Sequence, residues 1–277
     1  MCACAPCQPF SKQNRHKSPD DERKDLLSSF ARFIVRFQPD LLLIENVPGI
    51  KADAKSNPLF DLLSLLDELG YQYDYDIVMA HDYGVPQSRR RLLLVASLLG
   101  PIKLPAPTHG NGLQRHLTVR DAIGQFPALA AGEIHEHVEN HQAARLSPTN
   151  LKRIQASRAG GSWNDWPADL RLPCHADVAG YTDVYGRMNW DRPAPALTTR
   201  CVSYSNGRFG HPIQDRAISV REAASLQTFE ESFRFVGNLA SMSKQIGNAV
   251  PARLAEAFGH MFNKHVSSYL WDKHGKN

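Results

Sequence analysis

Apolar residues recur at helical spacing through Leu26, Leu27, Phe30, Phe33, Ile34 and Phe37, which predicts a helix with one apolar face packed on something large. Ser18 and Pro19, followed by Asp20, Asp21 and Glu22, supply its start signal, and Pro39 ends it. The run Leu41-Leu42-Leu43-Ile44 has no polar alternation and predicts a short buried strand over 40–45 that ends at Glu45. A second helix opens at Asn57-Pro58, carries Leu59, Leu62, Leu63 and Leu66, and closes at Gly70. From Tyr71 to Met79 apolar and polar positions alternate, as in a strand with one wet face. A tight turn and an Arg-rich stretch then lead into the apolar run Leu92 to Ala96, whose short separation from the preceding strand predicts an antiparallel pair at a sheet edge.

From Pro101 to about Thr182 this periodicity fades, and Pro, Gly and His rise. One helix signal remains there, from Ser147-Pro148 through Leu151 and Ile154 to Gly160-Gly161. Trp163 and Trp166 read as packing residues. The segment Arg192 to Arg200 reads as extended, and Ser219 with Glu222 as a capping box. A Gly247-Asn248 turn is expected just before the start of a last helix bearing Leu254 and Phe258. The pattern therefore divides the chain into 1–99, 100–240 and 241–277.

Composition adds bounds. The 277 residues, 42% hydrophobic and 22% charged, belong to the ordinary globular range, and a net charge of +4 permits a polyanionic partner without requiring one. No run approaches the roughly 18 apolar residues of a membrane span. The five cysteines (Cys2, Cys4, Cys7, Cys174 and Cys201) are expected as free thiols in a cytoplasmic protein. The Cys2, Cys4, Cys7 spacing lacks a second paired half, and with only His175 to complete it no metal is expected.

Candidate chemistry lies in five stretches. Pro6-Cys7-Gln8-Pro9 presents a thiol on a stiff loop, as a nucleophile is mounted. Glu45-Asn46-Val47 places a carboxylate at the C-terminal end of a buried strand, where open α/β sheets hold ligand-binding groups. Gln87-Ser88-Arg89-Arg90-Arg91 offers an anion site. Arg221 to Gln227 and Gln245 to Pro251 complete the set.

In this order and spacing, the five stretches resemble the motifs of the cytosine-5 DNA methyltransferase family, over Cys2 to about Phe262. The resemblance implies a Rossmann-like α/β methyltransferase sheet with a smaller target-recognition domain. It implies methyl transfer from S-adenosylmethionine to carbon 5 of a cytosine flipped out of double-stranded DNA. Cys7 would add to carbon 6, Glu45 would hold ring nitrogen 3, and Arg89 and Arg91 would steady the flipped nucleotide. Gly247, Asn248 and Ala249 would touch the cofactor. Gln87, Arg192, Thr198, Thr199, Arg200 and Arg221 would face DNA.

The resemblance also carries a departure. The family's opening strand and Gly-rich cofactor loop have no counterpart before Cys7, so the sheet is expected to lack its first strands and the cofactor site one half. The expected reading is an enzyme cut short, which alone would bind S-adenosylmethionine poorly. The alternatives are a split enzyme whose cofactor half is a separate chain, and a non-catalytic DNA-binding remnant. Methylation of transfer RNA, known among related proteins, is disfavoured by the size of the middle region. A bacterial, nucleoid-associated setting follows by resemblance.

Overall fold

A computed structural model describes residues 1–4, 26–52, 58–175 and 183–274. Along the chain come β1 (Cys2–Cys4), α1 (Leu26–Phe37), β2 (Leu41–Asn46), α2 (Pro58–Glu68), β3 (Gln72–Met79), β4 (Gln87–Ser88) and β5 (Arg90–Ser97). Then follow α3 (Val119–Ile123), α4 (Pro148–Gln155), β6 (Ala194–Pro195), α5 (Val220–Leu226), α6 (Leu239–Asn248) and α7 (Ala252–His274), with short 3-10 turns between them. No helix among the described residues is long and apolar enough to cross a membrane.

The chain forms two compact units. The first holds residues 1–79, 90–107 and 256–277, the second 80–89 and 108–255. These bounds differ from those read in the sequence: residues 80–89 join the second unit, the return to the first falls at 256 rather than 241, and the second unit is the larger.

The first unit is built on a mixed sheet of order β1-β2-β5-β3. The β1–β2 pair is parallel, and β5 runs antiparallel to both β2 and β3, as expected for the β3–β5 pair. Leu42 and Ile44 from β2 and Leu92, Leu94 and Ala96 from β5 meet Leu27 and Ile34 of α1 and Leu59, Leu62 and Leu66 of α2. Residues 92–96 of β5 are all buried, so both faces of that strand are covered, which is why its sequence shows no alternation. Ser97 at its end shares a hydrogen bond with His265 of α7, 2.8 Å. Gly70 ends α2 at φ +78°, a conformation that a Cβ would strain.

Two expectations change. Residues 18–25, the expected start of the first helix, lie outside the described residues. Phe33 and Phe37 do not join the core: they are 55% and 62% exposed and stack on each other. At 100° per residue Leu27, Phe30 and Ile34 hold the centre of the buried stripe, and Phe33 and Phe37 fall to its flank.

Among its described residues the second unit has little regular structure and two apolar clusters. One gathers Val119, Ile123, Leu197, Phe209, Ile218, Leu226, Met242 and Ile246. The other gathers Ile154, Trp163, Trp166 and Tyr204, so the tryptophans pack, and the Trp166 indole N–H donates to Ser157 Oγ at 2.8 Å. Helix starts follow their local signals. Thr118 with Asp121 and Ser219 with Glu222 form complete capping boxes, and Ser147 caps α4 with Pro148 in its first turn. Helix α4 stops at Gln155, short of the glycines expected to close it.

Loops this long must satisfy buried carbonyls without helix or sheet, and buried arginines do so. Arg187 donates to the carbonyls of Ile154, Ser157, His211 and Gln214 and pairs with Asp215. Arg216 makes a bidentate pair with Glu222, 2.7 Å on each arm, and also donates to Leu129 and Ala217. Arg208 serves the carbonyls of Gly160 and Gly161, and His211 is buried.

Candidate active site

In the first unit the site grows from the β1–β2 pair. The parallel register sets Cys4 opposite Glu45, so the two strands end at the same edge of the sheet. Cys7 follows Cys4 by three residues and itself lies outside the described residues. Glu45 stands in β2 opposite Leu93 of β5, and the diagonal neighbour on that strand is Arg91. Arg91 Nε reaches Glu45 Oε1 at 2.5 Å, with both side chains mostly buried, and Arg91 NH1 donates to the Arg90 carbonyl at 2.7 Å. A charge-assisted bond of this kind fixes the direction of the carboxylate. Arg91 therefore acts first on Glu45.

In the second unit Gln87 is fully buried and ties three segments together. Its Oε1 accepts from the Leu197 N–H at 2.9 Å, and its Nε2 donates to Gln227 Oε1 at 2.7 Å. Gln227, to which the sequence analysis gave no role, donates in turn to the Ala249 carbonyl. Its signal in the sequence was only its place at the end of a motif. Arg89 is also buried, and donates to the carbonyls of Leu197 (3.0 Å) and Gly247 (3.5 Å).

Gly247 closes this arrangement. A Cβ there would stand 2.2 Å from the Thr198 carbonyl oxygen and 2.4 Å from the Thr199 nitrogen. The glycine is thus required for chain to pack on chain. Gly247 and Asn248 end α6 and do not open α7: Asn238 caps α6 from the other end, and α7 begins after Pro251. Of the three expected cofactor residues, Asn248 alone presents an exposed polar side chain, and Ala249 is half-buried.

The expected DNA contacts divide. Arg192, Thr199 and Arg200 are exposed, and Thr198 is half-buried, its Oγ1 accepting from the Arg200 N–H. Gln87 and Arg221 are buried and bonded internally. Arg221, 1% exposed, donates to the carbonyls of Glu139 (2.9 Å), Glu230 (3.2 Å) and Phe233 (2.6 Å).

Among the described cysteines, Cys201 is disqualified as a nucleophile. It is buried, and burial pushes its thiol up to about 11.

A family profile described as C-5 cytosine-specific DNA methylase matches residues 1–264. The chain is 43% identical over 280 residues to the type II methylase M.HgiDII of Herpetosiphon aurantiacus, covering 99% of this chain and 77% of that protein. It is 34% identical to the type II methyltransferase M1.HphI of Haemophilus parahaemolyticus, over 91% of this chain and 64% of that one. Among solved structures, a DNA modification methyltransferase encoded within an Escherichia coli prophage shares the fold. Its TM-score is 0.72 at 22% identity, covering 96% of this chain and 78% of that one. With its motifs in family order and its length matched almost throughout, the chain belongs to the C-5 cytosine-specific DNA methylase family.

Proposed function

We propose that the chain methylates carbon 5 of cytosine in double-stranded DNA, in a restriction-modification setting, and that Cys7 and Glu45 act on one extruded base. The observation that carries this reading is the register of β1 on β2. A three-residue chain spans at most about 11 Å, so setting Cys4 against Glu45 supports a thiol and a carboxyl working at the same edge of the sheet.

Carbon 5 of cytosine is a weak nucleophile. Addition of the Cys7 thiolate at carbon 6 pushes an electron pair toward carbon 5, and Glu45, aimed by Arg91, holds ring nitrogen 3 where the displaced charge is shared. Once carbon 5 has spent that pair on a bond to the methyl group, loss of its proton to a base supplies the electron pair that expels the Cys7 sulfur and restores the ring. Extrusion of the base costs a few kcal/mol, which contacts to the flanking strand must offset. Arg192, Thr199 and Arg200, exposed on the second unit, are the side chains for that work.

The family's methyl donor, S-adenosylmethionine, supplies the electrophilic methyl group. Asn248, exposed at the end of α6, is the residue of the Gly247-Asn248-Ala249 stretch with a polar side chain free to hold it.

Trapping tests the reading. With duplex DNA carrying 5-fluorocytosine in the target and the methyl donor present, the chain should form a covalent adduct that Cys7→Ser abolishes, because fluorine cannot leave as a proton does. DNA binding without any adduct would select the alternative, a non-catalytic DNA-binding relative. An adduct that survives Cys7→Ser would remove Cys7 from the mechanism.

A further inference from the structure

We propose that His81, Asp82 and His116, which the methyl-transfer reading leaves unused, form a binding site for a zinc-class divalent metal ion in the second unit. Asp82 Oδ1 lies 3.0 Å from His116 Nε2 and 3.5 Å from His81 Nε2. Two ligands held 2.0–2.1 Å from zinc at the tetrahedral angle stand about 3.3 Å apart. Two edges of a coordination tetrahedron are therefore nearly formed. The third is within reach, since all three donor atoms lie within 4.8 Å of one another and the two imidazole rings are 4.4 Å apart, tilted by 48°.

A hydrogen-bonded His-Asp pair would need one imidazole. Here two converge on the same carboxylate oxygen through the same ring atom. The other nitrogen of His81, Nδ1, stands 3.5 Å from Ser88 Oγ, the outward hydrogen bond that orients a ligating imidazole.

The backbone holds the donors together. The Asp82 carbonyl accepts from the N–H groups of Thr108 (2.9 Å) and His109 (3.0 Å), which brings the turn at 80–83 beside the loop at 108–116. Gly110, at φ +84°, leaves room for His116: a Cβ would stand 2.6 Å from its Nε2. The three side chains are 17%, 30% and 35% exposed, so an ion has access and a fourth, solvent-facing position. Nitrogen-rich donors with one carboxylate suit zinc over calcium or magnesium. Such an ion would clamp the turn that leads into Gln87 and Arg89.

The test uses the untagged full chain and zinc alone. Equilibrium dialysis should find one zinc per chain, and X-ray absorption at the zinc edge should show two imidazole nitrogens and a carboxylate oxygen. Asp82→Asn and His116→Gln should each weaken binding at least about tenfold, the scale on which even supporting residues act. His137→Ala, at an exposed histidine elsewhere, should leave it unchanged. Absence of stoichiometric zinc on the wild type, or zinc retained by Asp82→Asn, overturns the proposal. Should a variant fail to fold, the wild-type absorption spectrum decides, since a shell without two imidazoles overturns it equally.

Discussion

Glu45 and Arg91 form an ion pair, and under the proposed reaction its geometry fixes what each substitution should do. Glu45→Gln removes the charge that balances the base and should lower the rate of methylation by about 10²–10³, the scale of losing one preorganised group at a developing charge. Arg91→Lys keeps a charge but loses the planar fork, and should lower the rate with little change in DNA affinity. Single-turnover methylation of a defined duplex reads both. Exposed and buried arginines should separate in a second experiment. Arg192→Ala and Arg200→Ala should each reduce the salt dependence of DNA binding by about one counterion with unchanged melting temperature. Arg221→Ala should instead lower stability, by about 1–3 kcal/mol in all, since its bonds to the carbonyls of Glu139, Glu230 and Phe233 are lost. In the sequence these three arginines look alike. Nothing within a few residues of Arg221 tells that segments at 139 and 233 will enclose it.

Elements whose formation rests on near neighbours were the legible part of the fold. The capping box at Ser219, the stop at Gly70 and the β3–β5 antiparallel pair all depend on residues close in sequence. Strand β1 was not legible, because three residues carry no period, and its pairing with β2 crosses about 40 positions. The same limit explains Gly247, whose missing side chain answers to Thr198. Leu94 lies in the fully buried part of β5, and Leu94→Ala should cost about 2–5 kcal/mol, read as a lowered urea midpoint. Ser219→Ala should cost about 1 kcal/mol through loss of the α5 cap.

For the whole molecule, stability should depend on pH through the buried His211, Glu222 and Arg216 group. Burial would raise the Glu222 carboxyl, but its bonds to Arg216 prevail and hold it below its usual value. Burial lowers His211 to about 4, with Glu222 opposing and Arg216 and Arg187 adding to the shift. Between about pH 6.5 and pH 4 the unfolded chain binds a proton that the folded chain refuses. This contribution is therefore complete above pH 6.5 and is lost as the pH falls through that window, by about 3 kcal/mol. Denaturant melts at pH 7 and pH 4.5 should show the drop, and His211→Asn should flatten it. The sequence by itself determined the local elements, the order of the five motifs and hence the family, since these rest on spacing along the chain. Only the tertiary structure decided which polar groups face outward and which are latched inside. A guanidinium is buried only when carbonyls from distant segments converge on it, and that convergence exists nowhere but in the fold.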